Sequence, residues 1–375
     1  MRELYTIELM VLAKELKSAE GFYIDQFYEL DKGKFRLKLS RKGEKANIRC
    51  IVPYSINRAE SIEIKETATN FSIAVRKRIA GTKIKLIEQL NCDRIIRFLL
   101  EKSNTELNMV FEMFGKGNLV IADKDMKIQL AYKAHNFKDR SVRPRAIYAY
   151  PKNTSIDICA NSKEELKKEM DSIIEMKGDG LLLNHLTKRI GIGKMYIEEA
   201  MVRSDIATDS KIKDIPAKDY KELINNINRI IEECTDSKSR KHFVYLHGSN
   251  PVNFALCNIT KYSTLEKKEF QSLESLLEYT SDFIKEENAQ NPELERISTS
   301  IEKQRKILDG IENEINACRD SGNYIMSHMG EINAMIERAR SSKKISIGEL
   351  QEISCMVEVL GIDMKTKSIK IRTKE

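Results

Sequence analysis

The stretch Ile190-Gly191-Ile192-Gly193-Lys194 has the residue types for holding a phosphate. Two glycines alternating with apolar residues allow a tight turn between two short helices, here a helix-hairpin-helix over residues 181–203. They also let backbone N–H groups approach an anion. Lys194 adds charge at the start of the second helix. The chemistry would be binding of a nucleic-acid backbone without base readout, carried by Gly191, Gly193 and Lys194. The competing reading is an αα-hairpin that packs internally. A second group, Asn91-Cys92-Asp93-Arg94-Ile95-Ile96-Arg97, reads as a turn entering a strand. There the commonest meaning of Asp93 beside Arg94 is a surface ion pair. Arg76-Lys77-Arg78 is a basic cluster on a helical stretch. No spacing suggests catalysis: there is no nucleophile elbow, no Gly-x-x-x-x-Gly-Lys phosphate loop and no Gly-x-Gly-x-x-Gly. No catalytic residue is expected.

The seven cysteines, at 50, 92, 159, 234, 257, 318 and 355, are odd in number, and the closest pair, 234 and 257, is 23 positions apart. Disulfides and a structural zinc site are therefore not expected, and reduced, buried thiols in a cytosolic compartment are. Of the five histidines, His242 and His247 are too far apart for an i, i+4 metal pair. No metal and no cofactor is expected.

Charge is unevenly placed. The 375 residues carry 64 Lys+Arg and 57 Asp+Glu, a net +7. Residues 1–150 hold 29 basic and 19 acidic residues, a balance of +10, which leaves residues 151–375 with 35 and 38, a balance of −3. Such asymmetry favours a polyanionic partner, nucleic acid first and an anionic membrane second; the plain alternative is solvated lysine-rich faces. No apolar run reaches 18 residues, so no membrane span is expected, and Met1-Arg2-Glu3-Leu4-Tyr5 does not begin a signal peptide. Hydrophobic residues at 41% suffice for a core, while six Pro, 16 Gly and no Trp argue against an all-β sandwich. The length suits two or three domains.

Periodicity places these groups on elements. Ile7 to Leu16 has helical spacing, and Gly21 ends it. Lys34, Arg36 and Lys38 alternate with Phe35, Leu37 and Leu39, so a strand there puts three cations on one face. A second strand, 46–52, stops at Pro53, and residues 68–80 return to helix. Strands are expected at 83–89, 94–101, 106–114, 118–122 and 127–134, separated by Asn, Gly and Asp turns. The result is an α+β fold with a mostly antiparallel sheet. Helix then dominates to about residue 233, strands recur at 242–246 and 252–259, and a helix is expected over 270–287. With Leu294 at heptad position a, the a and d positions to Ile336 are apolar except Gln304 and Gly322, which predicts one long coiled-coil helix, with room for a bend at Gly322. A short helix over 347–360 and a strand-like end, Ser368 to Ile371, complete the chain.

The run from Phe71 to Asp123, with VRKRIAGTKI, NCDRIIRF and VFEMFGKGNLVIAD, resembles the N-terminal domain of the NFACT family. So does Ala134-His135-Asn136-Phe137-Lys138-Asp139-Arg140-Ser141-Val142-Arg143-Pro144, continuing to Tyr150-Pro151. The family includes NEMF, Caliban, RqcH and the FbpA proteins, and the Phe-Gly-Lys-Gly-Asn version is most similar to the archaeal RqcH-type branch. The order of parts agrees too, so the resemblance covers about residues 1–345. It implies an NFACT N-terminal domain at 1–172, similar to the N-domain of Fpg/Nei glycosylases. A helical domain at 173–285 follows, with the hairpin at 181–203 and returning strands at 240–264, then a coiled-coil arm at 286–345 and an end piece at 346–375.

The function implied is ribosome quality control. Family members bind the obstructed large ribosomal subunit with its nascent peptidyl-tRNA and recruit aminoacyl-tRNA, alanine tRNA in prokaryotic members, for tailing without mRNA. The ribosome performs peptidyl transfer, so the factor is not an enzyme. Asp93 and Arg94 match the family's tRNA-engaging pair, with Arg76, Lys77 and Arg97 as supporting cations, and Glu8 matches an early acidic residue that is usually Asp. Full-length members return through a second coiled-coil helix and carry a further domain. This chain, ending at Glu375, is therefore expected to be a shortened form, deficient in tailing if those parts are needed for docking, and able to self-associate through its unpartnered seam. Rival readings are a nucleic-acid-binding protein of glycosylase-like fold and a fibronectin-binding adhesin. The glycosylase nucleophile would be an N-terminal proline amine, yet position 2 is Arg2, and no zinc-finger cysteines exist. Adhesion would need secretion, and a bare coiled-coil scaffold leaves the +10 balance unexplained.

Overall fold

Helix α1 (Thr6–Leu16) is buried on nearly every side: Ile7, Leu9, Val11, Leu12 and Leu16 are all 0–1% exposed. It is therefore a central helix, around which the rest of its unit is layered. The computed structural model describes residues 2–60, 68–103, 105–137, 139–153, 155–156, 163–175, 180–236, 241–290, 292–342, 345–353, 357–363, 366 and 368–372. They fall into two units, Met1–Ala289 and Gln290–Glu375.

In the first unit, strands β1 (Tyr23–Asp31), β2 (Lys34–Arg41), β3 (Glu44–Ile51) and β4 (Ser55–Ala59) form one half of a nine-stranded antiparallel sheet. Helix α2 (Asn70–Ile79) follows, then β5 (Lys83–Gln89), β6 (Ile95–Lys102), β7 (Thr105–Glu112), β8 (Asn118–Asp123) and β9 (Ile128–Ala131) form the other half. The order is β4-β3-β2-β1-β5-β6-β7-β8-β9. The halves meet around the pair Tyr23 with Lys83, where backbone hydrogen bonds join residues 21–24 to residues 81–84. The period-two alternation is carried through the packing. Ile96, Phe98, Met109, Phe111, Leu119 and Ile121 face the main core, whereas Ile95, Val110 and Val120 face the other way. The short strands β10 (His135–Asn136) and β11 (Ser141–Val142) follow, and that second face is covered by Val142 of β11 and by Tyr148 beyond it.

Helices α3 (Lys163–Glu175), α4 (Leu182–Ile190), α5 (Lys194–Arg203) and α6 (Ala217–Thr235) come next. A three-stranded antiparallel sheet follows, with β12 (His242–His247) between β13 (Asn250–Ala255) and β14 (Glu266–Phe270), and then α7 (Leu273–Gln290). The main core runs without a break from Leu4 to Leu277. Strand β14 was not expected: Glu-Lys-Lys-Glu-Phe is an exposed edge strand, with no buried face to impose alternation.

In the second unit the long heptad element is helical but is not one helix. It comprises α8 (Pro292–Ser327) and α9 (Met329–Ser341), interrupted at His328 (φ −110°, ψ 18°). Leu308, Ile311 and Ile315 are 47–57% exposed, so this part of the seam is uncovered. The helix expected over 347–360 is shorter. Helix α10 (Ile347–Gln351) starts with a capping box from Ser346 and Glu349, and Glu358–Asp363 is instead strand β15, paired with β16 (Ser368–Arg372). Apolar residues at 350, 353, 357 and 360 mimic helical spacing, but Val357 and Val359 join Met335 and Leu350 in a small core through the hairpin.

Candidate nucleic-acid interface

The turn between β5 and β6 is built from non-glycine residues in an unfavourable conformation. Asn91 and Cys92 have φ of 55° and 43°, the left-handed region that favours glycine. The surroundings impose it. Asn153 Nδ2 donates to the carbonyls of Asn91 and Cys92, both at 3.1 Å, and Gln89 Nε2 donates to the Asp93 carbonyl at 2.9 Å and to that of Thr6 at 3.0 Å. Asp93 Oδ1 then accepts the Arg94 N–H at 2.7 Å. Asp93 therefore fixes the backbone entering β6. It does not hold the guanidinium, the role the sequence suggested for it. Arg94 instead pairs with Glu3, and both side chains are about one third exposed.

Glu8 is not on the surface. Its carboxylate is 0% exposed and accepts four hydrogen bonds: from Arg2 Nη1 (2.8 Å) and Nη2 (2.5 Å), from the Tyr196 hydroxyl (2.7 Å) and from the Tyr5 N–H (2.8 Å). Four donors saturate a carboxylate, so Glu8 has no acceptor left for RNA. Its assignment as an RNA-contacting residue gives way to that of a buried anchor. Arg2 extends the network to β13, donating to Asn253 Oδ1 and the Phe254 carbonyl, and lies 4.2 Å from the Tyr5 and Phe254 ring centres. Burial alone would lower the Arg2 guanidinium, but Glu8 beside it more than reverses this and raises it. Burial, reinforced by the Glu8 charge, pushes the Tyr196 phenol well up. Arg2 Nη1 also donates to the Glu3 carbonyl, so Glu8, Arg2, Glu3 and Arg94 form one chain of contacts.

Gly191 (φ 71°) and Gly193 (φ 118°) lie in the turn joining α4 to α5. What approaches them closely is the protein itself. A Cβ on Gly193 would sit 2.4 Å from the Tyr5 ring, and one on Gly191 2.7 Å from Ser155 Oγ. Lys194 is exposed, with Glu198 at 3.6 Å. Of the supporting cations, Arg76 donates twice to the Phe27 carbonyl, Arg97 pairs with Glu88, and Lys77 is exposed. Contacts thus bring Glu8, Arg94 and the Gly193 turn together around residues 2–8; Arg76, Lys77 and Arg97 are not among the residues they join.

Sequence reasoning missed the residues next to Arg94. Phe114 lies 5.8 Å from the Arg94 guanidinium and 5.8 Å from that of Arg140. Arg140 and Glu112 form a buried pair, each side chain 4% exposed, at 2.5 Å. The Tyr148 hydroxyl donates to the same Glu112 oxygen at 3.0 Å, and burial, then the Glu112 charge, drives that phenol far up. The signal was present: Arg140 and Tyr148 lie in the stretch that carried the resemblance, as conspicuous residue types without a visible partner.

A family model described as NFACT N-terminal and middle domains matches residues 6–352. The chain belongs to the NFACT family. Over 283 residues it is 23% identical to the archaeal protein aRqcH of Methanocaldococcus jannaschii, covering 73% of this chain and 41% of the relative. Over 368 residues it is 20% identical to the human ribosome quality control complex subunit NEMF, covering 94% of this chain and 33% of the relative. This NFACT chain thus spans less than half the length of these curated relatives. Among solved structures, the N-terminal part of the fibronectin/fibrinogen-binding protein of Streptococcus suis aligns with a TM-score of 0.58 at 18% identity, covering 74% of this chain and 99% of that one. The fibrinogen-binding protein of Staphylococcus aureus aligns at 0.56 and 16%, over 73% and 97%. At such identities the likeness concerns the fold. Among the described residues no helix is long and apolar enough to cross a membrane, and no three His, Cys, Asp or Glu are grouped to hold a metal.

Proposed function

We propose that this NFACT chain acts in ribosome quality control, engaging tRNA on an obstructed large ribosomal subunit that still carries peptidyl-tRNA. In this reading it recruits alanine tRNA for tailing of the stalled chain, and peptidyl transfer belongs to the ribosome. The curated relatives named for ribosome quality control support the role. The single observation that carries the site is the Asp93–Arg94 turn: an arginine, one third exposed, presented by a strained turn that five hydrogen bonds hold in place. Strain of this kind, about 1–3 kcal/mol per residue, persists where surrounding structure over-determines it, and it clusters at functional positions. The +10 balance of residues 1–150 supplies the long-range attraction for RNA.

Arg94→Ala and Glu3→Ala, compared side by side, test the reading. Each removes the same partly exposed ion pair, so each costs the fold only about 0–1 kcal/mol. Arg94→Ala is expected to weaken tRNA binding about tenfold or more in filter binding at fixed salt, as loss of a charge-assisted phosphate contact would. Glu3→Ala should bind at least as well as the parent. Equal tRNA affinity in both variants would make the pair structural and defeat the assignment.

A further inference from the structure

Residues 135–152 carry five Lys or Arg and one Asp, and among them are three exposed apolar or aromatic side chains: Phe137 at 43%, Ile147 at 60% and Tyr150 at 39%. Exposed rings of this size need an explanation when they are held rigidly. Phe137 is held from beneath. Its ring centre lies 4.6 Å from the Arg140 guanidinium, a cation–π contact, and its N–H donates to the Arg140 carbonyl at 2.8 Å. His135 meets the ring edge-on at 4.6 Å. Tyr150 is held from the same base. It packs edge-on against Tyr148 at 5.6 Å, and Tyr148 shares Glu112 with Arg140. The pedestal under both rings is therefore one buried Arg140–Glu112–Tyr148 cluster. Its charge is spent internally, so the outer ring faces are left to another partner.

The other cations of this segment are not spent. Arg143, Arg145 and Lys152 are exposed and have no ion pair among the described residues; Asp139 is the one exposed acid nearby in sequence. Arg145 is itself in the left-handed region (φ 77°), fixed by its N–H to the Ile128 carbonyl at 2.7 Å. Fixed rings with free cations and almost no acid suit unpaired nucleic-acid bases, since every base has a π-face and every nucleotide a phosphate. An apolar protein partner would leave three cations to be desolvated. The surface also continues to Arg94: Phe114 lies between Arg140 and Arg94, and Asn91 Nδ2 donates to the Pro151 carbonyl at 3.4 Å.

We propose that Phe137 and Tyr150 form a stacking platform for unpaired RNA bases, with Arg143, Arg145 and Lys152 meeting the backbone that carries them. This rests on the reading of the chain as a tRNA-engaging factor and adds to it that a single-stranded loop, rather than a helical stem, is what this face takes.

Fluorescence anisotropy separates the two ideas, with three probes: a tRNA transcript, a short RNA hairpin with 2-aminopurine in its loop, and a blunt RNA duplex. The parent is expected to prefer the hairpin to the duplex and to quench the 2-aminopurine on stacking. Phe137→Ala with Tyr150→Ala should weaken hairpin binding about 10- to 100-fold and abolish the quench, with duplex binding within about twofold. Phe137→Leu keeps an apolar cover over Arg140 without a π-face, so it should fold like the parent and still lose quench, whereas Phe137→Tyr should retain it. Hairpin affinity and quench preserved in the double variant overturn the platform. So does a parent that binds tRNA but does not prefer the hairpin to the duplex, and in that case the tRNA reading stands. A parent with no affinity for tRNA overturns both.

Discussion

Glu8→Ala would remove the acceptor of four buried hydrogen bonds and leave the Arg2 guanidinium beside an apolar methyl group. Breaking a buried ion pair by deleting one partner costs about 3–5 kcal/mol, because the surviving charge is uncompensated. Arg2 retains 20% side-chain exposure, so water reaches part of it, and the low end, about 3 kcal/mol, applies. The Tyr196 hydroxyl still accepts the Leu256 N–H at 3.0 Å but loses the partner to which it donates, which brings the loss to about 3–4 kcal/mol. For a unit of this size about 2 °C accompanies each kcal/mol, so melting is expected roughly 6–8 °C below the parent. Circular dichroism during heating and in urea reads this directly. Arg2→Ala and the double variant complete a cycle, and the double is expected to cost at least about 1 kcal/mol less than the sum of the singles. Well below the melting range, tRNA affinity should stay within about threefold of the parent. A Glu8→Ala protein that melts normally and yet loses tRNA would refute this reasoning and place Glu8 in direct contact with RNA.

Gly193→Ala puts a Cβ 2.4 Å from the Tyr5 ring at φ 118°, so a loss of about 2–4 kcal/mol is expected in urea unfolding; a melt within 1 °C of the parent would show that the turn can relax. The uncovered seam of Leu308, Ile311 and Ile315 is expected to drive association between chains, seen as a mass that rises with concentration in sedimentation. Leu308→Lys should then shift the protein to monomer, and a parent that is monomeric at every concentration removes the idea.

Strands β2, β3 and β5 to β8 were legible from sequence through their alternation, whereas β1 and β4 were not expected. Ile96, Phe98 and Leu100 alternate with polar or outward residues, and the expected boundaries of β5 to β8 differ from the observed ones by at most two residues. Strand β14 was illegible because it buries almost nothing, and the 347–360 segment misled because its apolar spacing suits a helix while its partner strand lies ten residues away in sequence. The site divided along similar lines. Asp93 and Arg94 were picked out by resemblance, yet their sequence adjacency suggested a mutual contact. A side chain beside its neighbour at a strand start points to the other face, so Arg94 met Glu3, 91 residues away. Glu8 was picked out by resemblance alone, which carries no information on burial. Only the tertiary placement of Arg2 and Tyr196 made its burial tolerable.

Residues 2–8 tie the proposed interface together. Arg2 fixes the start of the chain to β13 and to Glu8, Glu3 holds Arg94, and Tyr5 fills the space that Gly193 leaves open. Three groups far apart in sequence therefore share one support, and its strength is graded. The Glu8 end is buried and costs several kcal/mol to break. The Glu3–Arg94 end is about one third exposed on both sides and contributes about 0–1 kcal/mol. An arginine held that weakly is oriented without being committed. A phosphate offering a charge-assisted bond of about 1.5–3 kcal/mol can take Arg94 from Glu3 while the turn beneath it, pinned by Asn153 and Gln89, stays in place. Preorganisation of the turn and exchangeability of its ion pair are both what the proposed contact with RNA requires, and a pair as deeply buried as Arg140 with Glu112 could not provide the second.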